Sequence, residues 1–242
     1  MEKRFVKISY TARIKDGKSF DTTDEEVAKK ENIFDEKRVY GAVPIVVGEG
    51  HVIRGLDEAL KDMKVDEERE IEIPPEKAYG KRNPNLIRLV PMRVFKQHRI
   101  NPIPGMSIEL DGKVARIQTV SGGRVRVDFN PELAGKTLVY NVKIEEESKT
   151  DEDRIKYLIE RSFNTCDGFE LKINDGNLHI NIPENSYRDR SILVRKASFV
   201  AEAFRFMNIK KITFSEIWEK KEKGKVKEEQ GERKGNREQT PP

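Results

Sequence analysis

The rhythm of apolar residues in the first third of the chain constrains its fold most strongly. Phe5 to Arg13 alternate with a period near two and are followed by the turn signal Asp16-Gly17, which predicts a strand and a hairpin. Val43 to Val47 form a short apolar run, and Glu68 to Ile73 alternate charged residues with isoleucine, so both are predicted strands. Only Ile53 to Leu60 has helical spacing, and it is short. The pattern predicts a strand-rich domain with one short helix.

The sequence pattern changes between residues 84 and 131, where prolines recur. Lys113 to Val120 and Arg124 to Phe129 alternate around Ser121-Gly122-Gly123, which is a hairpin signal. Leu138 to Ile144 then resumes a longer strand. The segment 84–131 is therefore predicted to be a small β module of its own.

A third pattern begins after a polar linker that ends at residue 150. Asp151 to Phe163 has helical spacing, and Asn174-Asp175-Gly176-Asn177 is a strong hairpin signal. A long helix is predicted from about Tyr187 to Met207, followed by a short strand from Lys211 to Phe214. This order predicts a small α/β sandwich.

Composition bounds the class of protein. Hydrophobic residues make up 36% and charged residues 37% of the chain, so each core must be small. Basic and acidic residues, 47 against 43, are mixed along most of the chain, which disfavours nucleic acid as a partner. The lone Cys166 excludes an intrachain disulfide and indicates a reducing compartment. With no signal-peptide pattern and no stretch approaching 18 apolar residues, we expect a cytoplasmic protein without membrane contact. The dominance of Lys and Glu is typical of hyperthermophile proteins.

Two short motifs carry most of the functional information. Val52-Ile53-Arg54-Gly55-Leu56 is followed 22 residues later by Ala78-Tyr79-Gly80. Neither motif contains a nucleophile, an acid–base pair or a metal ligand. The histidines, at positions 51, 98 and 179, lack ligand spacing, so neither a metal nor another cofactor is expected. Such a site binds an apolar group and does not break a covalent bond.

These motifs lie between Ser19-Phe20-Asp21-Thr22 and Leu138-Val139-Tyr140-Asn141-Val142. In this order, over residues 1–147, the chain resembles the FK506-binding-protein family of peptidyl-prolyl isomerases. An insert that begins after Gly80 is similar to that of the bacterial sensitive-to-lysis D isomerases and their archaeal homologues. The layout beyond residue 148 resembles the long archaeal form. The resemblance implies an α+β fold: an antiparallel sheet wrapped on a short helix, an inserted small β module and a C-terminal α/β sandwich domain.

The resemblance also implies a division of the chain into four parts. The expected parts are a discontinuous isomerase domain (1–83 plus 132–147), an insert-in-flap chaperone domain (84–131), a C-terminal domain (151–220) and a disordered charged tail (221–242).

Family pocket positions can be carried over residue by residue. The resemblance implies that the Tyr79 hydroxyl and the Ile53 N–H anchor substrate carbonyls, that Asp21 lies near the twisting amide, and that Phe20 shapes the proline cavity. The implied substrate-binding residues are Tyr10, Val43, Ile45, Val52, Leu56, Ala78 and Tyr140. Three of these depart from the usual pattern: Leu56 replaces a common tryptophan, Tyr140 replaces a common phenylalanine and Val43 replaces a frequent aromatic residue.

The implied substrates are unfolded or partly folded, proline-containing polypeptides. Apolar residues of the insert are expected to hold them, namely Leu86, Ile87, Leu89, Val90, Met92 and Phe95. The alternative is that these side chains pack the small β core. A second functional alternative is a holdase chaperone with little or no isomerase activity.

The C-terminal domain has a heavy aromatic load, including Phe199, Phe204 and Trp218. One hypothesis is that some of these residues face a second copy and form a homodimer that holds two catalytic arms around one client. The alternative is a monomeric spacer, and the sequence does not decide between the two.

Overall fold

The computed structural model describes residues 3–218, so the tail predicted to be disordered lies outside the described residues. Within that range the strands form three separate sheets. The strands are β1 (Phe5–Ile14), β2 (Ser19–Thr22), β3 (Val43–Val46), β4 (Glu68–Ile73), β5 (Ile87–Pro91), β6 (Ser107–Leu110), β7 (Lys113–Ser121), β8 (Arg124–Asp128), β9 (Leu138–Glu147), β10 (Glu170–Asn174), β11 (Asn177–Ile182) and β12 (Lys211–Glu216). The helices are α1 (Glu25–Lys30), α2 (Arg54–Leu60), α3 (Met92–Gln97), α4 (Asp151–Phe163), α5 (Glu184–Tyr187) and α6 (Ile192–Phe206).

The first sheet is antiparallel and is built around β1. One edge of β1 pairs with β9, and β9 pairs with β4 on its other side. The opposite edge of β1 is shared, because β3 pairs with residues 5–8 and β2 with residues 11–13. Leu56 and Leu60 of α2 are buried in one cluster with Val6 and Ile73 of this sheet. The predicted antiparallel sheet wrapped on a short helix is confirmed.

The insert contains a four-stranded antiparallel sheet in the order β5-β8-β7-β6. The predicted hairpin between β7 and β8 is present, with Gly122 and Gly123 at φ 58° and 73°, as a two-residue turn of this kind requires. Helix α3 was not predicted, and it buries Phe95 in the core of the insert. The Gly135 N–H donates to the Gly80 carbonyl at 2.8 Å, which closes the neck where the insert leaves and rejoins the first sheet.

The C-terminal sheet has the order β10-β11-β12, with helices α4 and α6 packed against each other. The predicted hairpin at residues 174–177 joins β10 to β11, and β12 pairs parallel to β11. The long helix predicted from about Tyr187 to Met207 is confirmed as α6, but its predicted start is wrong, because α5 ends at Tyr187 and α6 begins only at Ile192. The turn between them is fixed by the Asp189 carboxylate, which accepts from the Ser191 N–H at 2.8 Å and from Arg195 at 2.7 Å.

The C-terminal helices pack directly on the back of the first sheet. Phe5 of β1 and Val46 of β3 are buried in the same cluster as residues of α4 and α6. The Phe5 ring meets the Phe206 ring edge-on, with 6.5 Å between centroids. The first sheet is therefore covered by α2 on one face and by α4 and α6 on part of the other. No helix in the described range is long and apolar enough to cross a membrane.

Candidate active site

The start of helix α2 sets the geometry of the site. The Ile53 carbonyl accepts from the Leu56 and Asp57 N–H groups, both at 3.0 Å. A Cβ atom on Gly55 would lie 2.4 Å from Cγ2 of Ile73, so only glycine lets α2 approach β4 this closely. The N–H of Ile53 itself donates to no acceptor within residues 3–218. This backbone group is available to a ligand.

The loop before Ile53 is held from two sides. The buried Asp57 carboxylate accepts from the Gly48 N–H at 2.7 Å and from the Gly50 N–H at 3.4 Å. His51 Nδ1 accepts from the Val46 N–H at 3.0 Å. These bonds fix the loop that carries Val52 and Ile53.

The apolar residues predicted for the pocket lie in a single cluster. Ile45, Leu56 and Tyr140 are buried in it, with Leu56 only 1% exposed. The half-buried members that pack against the same cluster are Tyr10, Phe20, Val43, Val52, Ile53 and Ala78. The Tyr140 ring lies 5.6 Å from the Tyr10 ring and 6.3 Å from the Phe20 ring, between centroids. The structure thus brings together the residues that the sequence implied one by one.

Asp21 is fixed at the edge of this cluster by two donors. The Tyr10 hydroxyl donates to Asp21 Oδ2 at 2.7 Å, and Arg38 pairs with Oδ1. Burial, followed by the Asp21 charge, raises the pKa of the Tyr10 hydroxyl above its usual value, so Tyr10 stays a donor. Arg38 was missed at the sequence level. It lies in a polar loop 17 residues from its partner, and no local pattern links the two.

Two tyrosine hydroxyls complete the site. Tyr79 is 43% exposed, and its hydroxyl has no hydrogen-bond partner among the described residues. The Tyr140 hydroxyl likewise has no partner in that range, although the residue is buried. Burial, and then the neighbouring Tyr79, Tyr10 and Asp21, raise the pKa of Tyr140. Both hydroxyls can therefore donate to a bound ligand.

The C-terminal domain contacts the site loop through His51. Its ring packs edge-on against Phe206, with 5.5 Å between centroids, and Nε2 lies 3.7 Å from Glu202 Oε1. Burial, and then the charge of Arg161, lower the pKa of His51, so the ring is neutral at pH 7. Glu49 in the same loop pairs with Arg205 of α6 at 2.8 Å and with Lys3. These contacts with the site loop were not predicted.

The apolar residues predicted for client binding divide into three groups. Leu89 is exposed, at 63% of its surface. Leu86, Ile87, Val90 and Met92 are half-buried. Phe95 is 1% exposed, so the expectation of an exposed Phe95 is wrong: its ring fills the core between α3 and the insert sheet.

Groups suited to other chemistry are sparse in the described range. No cluster of three or more His, Cys, Asp or Glu there could hold a metal ion. Cys166 is a free, half-buried thiol. The site combines an apolar cluster with three donors that have no partner in residues 3–218, the Ile53 N–H and the hydroxyls of Tyr79 and Tyr140, and with the fixed Asp21 carboxylate. Such a site suits an isomerase that acts without a covalent intermediate.

Comparison with known proteins narrows the class. Family models match residues 88–133 with the description "FKBP26, IF domain" and residues 151–219 with the description "FKBP26_C-terminal". A short-type peptidyl-prolyl cis-trans isomerase of Methanocaldococcus jannaschii is 41% identical over 140 residues, covering 58% of this chain and 88% of the relative. The FKBP-type isomerase SlyD of Treponema pallidum is 31% identical over 161 residues, covering 64% of this chain and 82% of the relative.

The chain belongs to the FKBP-type peptidyl-prolyl cis-trans isomerase family. Among solved structures, the three FKBP domains of wheat FKBP73 align at 19% identity over 62% of this chain and 40% of that one, with a TM-score of 0.32.

Proposed function

We propose that the apolar surface around Leu56 and Tyr140 accelerates rotation about X–Pro bonds in polypeptides. The observation that carries the proposal is the pairing of this surface with two unused donors, the Ile53 N–H and the Tyr79 hydroxyl. The X–Pro amide resists rotation with a barrier of about 18–20 kcal/mol, which amide resonance maintains. Because water stabilises the charge-separated planar amide, an apolar pocket that binds the twisted form lowers the barrier.

The residues divide this work among them. The Ile53 N–H and the Tyr79 hydroxyl hold substrate carbonyls on either side of the proline. Phe20, Leu56 and Tyr140 contact the ring, with Leu56 giving a smaller floor than an aromatic side chain. Asp21, fixed by Tyr10 and Arg38, supplies a negative charge beside the twisting amide. No covalent bond is made or broken at any step.

The second part of the proposal assigns the insert to client binding. Leu89, Ile103 and Val114 expose 63%, 58% and 73% of their surface on this small module. Exposed aliphatic surface of this kind suits contact with unfolded chains. The division into an isomerase domain (1–83 plus 132–147), an insert (84–131) and a C-terminal domain (151–220) belongs to the same proposal. We also propose a cytoplasmic location in a heat-adapted archaeon. The free thiol of Cys166 and the archaeal relative support this part of the proposal.

A refolding experiment tests both parts. Refolding of a proline-limited protein and isomerisation of a short proline tetrapeptide are followed with the wild type, Tyr79→Phe, Asp21→Asn and a variant whose insert is replaced by a short loop. We expect the two point variants to lose about tenfold in both assays. The insert-less variant should keep tetrapeptide activity and lose refolding activity.

The matched control is Tyr157→Phe, which removes a hydroxyl bonded to Glu146 and lies in the other core cluster, with α4 and α6. If Tyr79→Phe and Asp21→Asn match this control in the tetrapeptide assay, the site assignment is wrong. If the wild type binds unfolded client and does not accelerate either reaction, the protein is a holdase.

A homodimer through α6 is supported by the outward face of that helix. Its exposed apolar residues share one stripe at helical spacing, beside the exposed Ser198 and Arg205: Leu193, Val194, Ala197, Ala201 and Phe204. Leu193 and Val194 are 76% and 72% exposed, while Phe199 and Ala203 are buried on the opposite face. A helix that is apolar on both faces is normally covered on both. This apolar stripe can pack on its own copy across a two-fold axis.

Sedimentation velocity tests the dimer. The wild type should sediment as a dimer at micromolar concentration, and Leu193→Glu as a monomer of unchanged helix content. A monomeric wild type would overturn this part of the proposal.

A further inference from the structure

The net positive charge of the chain arises in the insert, where acidic residues are few. Residues 84–131 contain eight Lys and Arg against three Asp and Glu, a net charge of +5 in a chain whose total is +4. The remaining residues are therefore close to neutral. This asymmetry is hidden when charge is averaged along the whole sequence.

The strand register places two of these charges side by side on the open face of the insert sheet. Val125 and Val127 of β8 are fully buried towards α3. Arg124 and Arg126 alternate with them and are exposed, so they lie on the opposite face. Residues two apart on a strand are separated by about 7 Å. The side chains of Arg124 and Arg126 thus leave β8 on the same face, about 7 Å apart.

Each arginine is the centre of a row with the same chemistry. Directly opposite residues of neighbouring strands share a face of the sheet. The two rows, each running from an aliphatic residue through an arginine to a hydroxyl residue, are Leu89–Arg126–Thr119 and Pro91–Arg124–Ser121. All six residues are exposed. The open face therefore repeats an apolar contact, a cation and a hydroxyl donor at one strand spacing.

The two cations are unused within the protein. Arg124 and Arg126 form no ion pair within residues 3–218. In the next row along β8, by contrast, Arg82 pairs with Asp128 and Arg116 pairs with Glu132 at 2.9 Å, and both pairs border a groove of about 420 Å³. The arginines at the groove are thus paired with carboxylates of the chain itself, whereas within the described residues Arg124 and Arg126 are not.

We propose that this open face binds extended polypeptide segments that carry carboxylates at alternate positions. Alternate residues of an extended client point to one side with the same spacing of about 7 Å. Their carboxylates can pair with the guanidinium forks of Arg124 and Arg126 and accept from Ser121 and Thr119. The proposal deepens the client binding proposed for the insert and rests on it.

The chemistry of the face favours polypeptide over nucleic acid. Single-stranded nucleic acid is held by aromatic side chains on which bases stack. The two rows contain no aromatic residue, Phe95 is buried, and the Phe129 ring lies beneath the Arg88 guanidinium at 5.2 Å. Aliphatic Leu89 and Pro91 suit the methylene groups of glutamate instead.

Peptide binding to the full chain tests the proposal. Fluorescence anisotropy is measured with three labelled 16-residue probes: alternating Glu and Val, the same composition with the glutamates in one block, and alternating Lys and Val. The wild type should bind the alternating Glu/Val probe about tenfold more tightly than the other two. The preference should shrink in 1 M salt, where exposed charges are screened.

Two double variants with the same change in charge separate the face from net charge. Arg124→Gln with Arg126→Gln should abolish the preference, and Arg93→Gln with Arg99→Gln, on and just after α3, should keep it. An unchanged far-UV circular dichroism spectrum and an unchanged unfolding midpoint of the insert show that both variants are folded, since the insert has a core of its own. Equal loss in both variants, or equal binding of the Glu and Lys probes, overturns the proposal.

Two further outcomes have distinct meanings. Tighter binding of a 15-nucleotide oligo-uridine than of the Glu/Val probe overturns the proposal in favour of nucleic acid. If the insert-less variant refolds client as well as the wild type does, the client-binding function proposed for the insert is wrong. If the wild type binds client without a charge preference, only the inference drawn from Arg124 and Arg126 is wrong.

Discussion

Gly55→Ala tests whether the glycine of the first motif is a packing requirement. The added Cβ would lie 2.4 Å from Ile73 Cγ2 and 3.2 Å from Lys77 Cβ, well inside normal contact distance. Overpacking of this kind costs about 1–3 kcal/mol, and the better helix propensity of alanine returns about 1 kcal/mol. Because a contact of 2.4 Å forces the backbones of α2 and β4 apart, we take the upper part of this range, about 2–3 kcal/mol, and expect a net loss of about 1–2 kcal/mol of unfolding free energy.

Denaturant unfolding followed by far-UV circular dichroism gives the free energies. Ile73→Ala alone should cost about 2–5 kcal/mol, since its side chain is fully buried. In the double variant the new methyl group enters the space that Ile73 leaves. The double variant should therefore be more stable than the sum of the single changes predicts, by about 1–2 kcal/mol.

The control is Ala59→Gly in the same helix, which measures propensity without a clash. The packing argument is refuted if Gly55→Ala is as stable as the wild type. It is also refuted if the two substitutions are additive, because the methyl group would then not meet Ile73.

The remaining predictions concern His51 and Tyr10. The lowered pKa of His51 means that the unfolded chain takes up a proton near pH 6.5 while the folded chain does not, so stability should fall as pH drops below about 6.5. Thermal melts of the wild type between pH 7 and 5 should show this slope more steeply than those of His51→Phe, and equal slopes would contradict it. Tyr10→Phe removes one of the two donors that fix Asp21, so kcat/KM for a proline tetrapeptide should fall about tenfold, or about 1.4 kcal/mol. Rates equal to those of Tyr157→Phe would show that Asp21 needs no such support.

Much of the local structure was predictable because the local chemistry leaves few options. Gly122-Gly123 adopts the positive φ angles of a two-residue hairpin, and the pairing of Asn174 with Asn177 closes another two-residue turn. The pocket residues, by contrast, were assembled from four separated motifs through the resemblance alone. Leu56 or Tyr140 taken singly is indistinguishable from a core residue, and structurally each is one.

What could not be predicted depends on contacts between distant segments. Arg38 reaches Asp21 across a polar loop, and a sequence shows many equivalent arginines. Phe95 looked surplus to a small β core because α3, which carries it inward, was not predicted. The break between α5 and α6 depends on the Asp189 side chain, which bonds within the turn rather than continuing a helix.

The packing of α4 and α6 on Phe5 and Val46 has a consequence for how the chain comes apart. The cluster contains residues from β1, β3 and both C-terminal helices. If one of these elements detaches, the buried side chains of the others become exposed to water. We expect amide protons of β1 and α6 to exchange in one concerted opening, while those of the insert, with a core of its own, exchange independently. The isomerase sheet and the C-terminal helices would then be a single cooperative unit, although the insert interrupts the chain between β4 and β9.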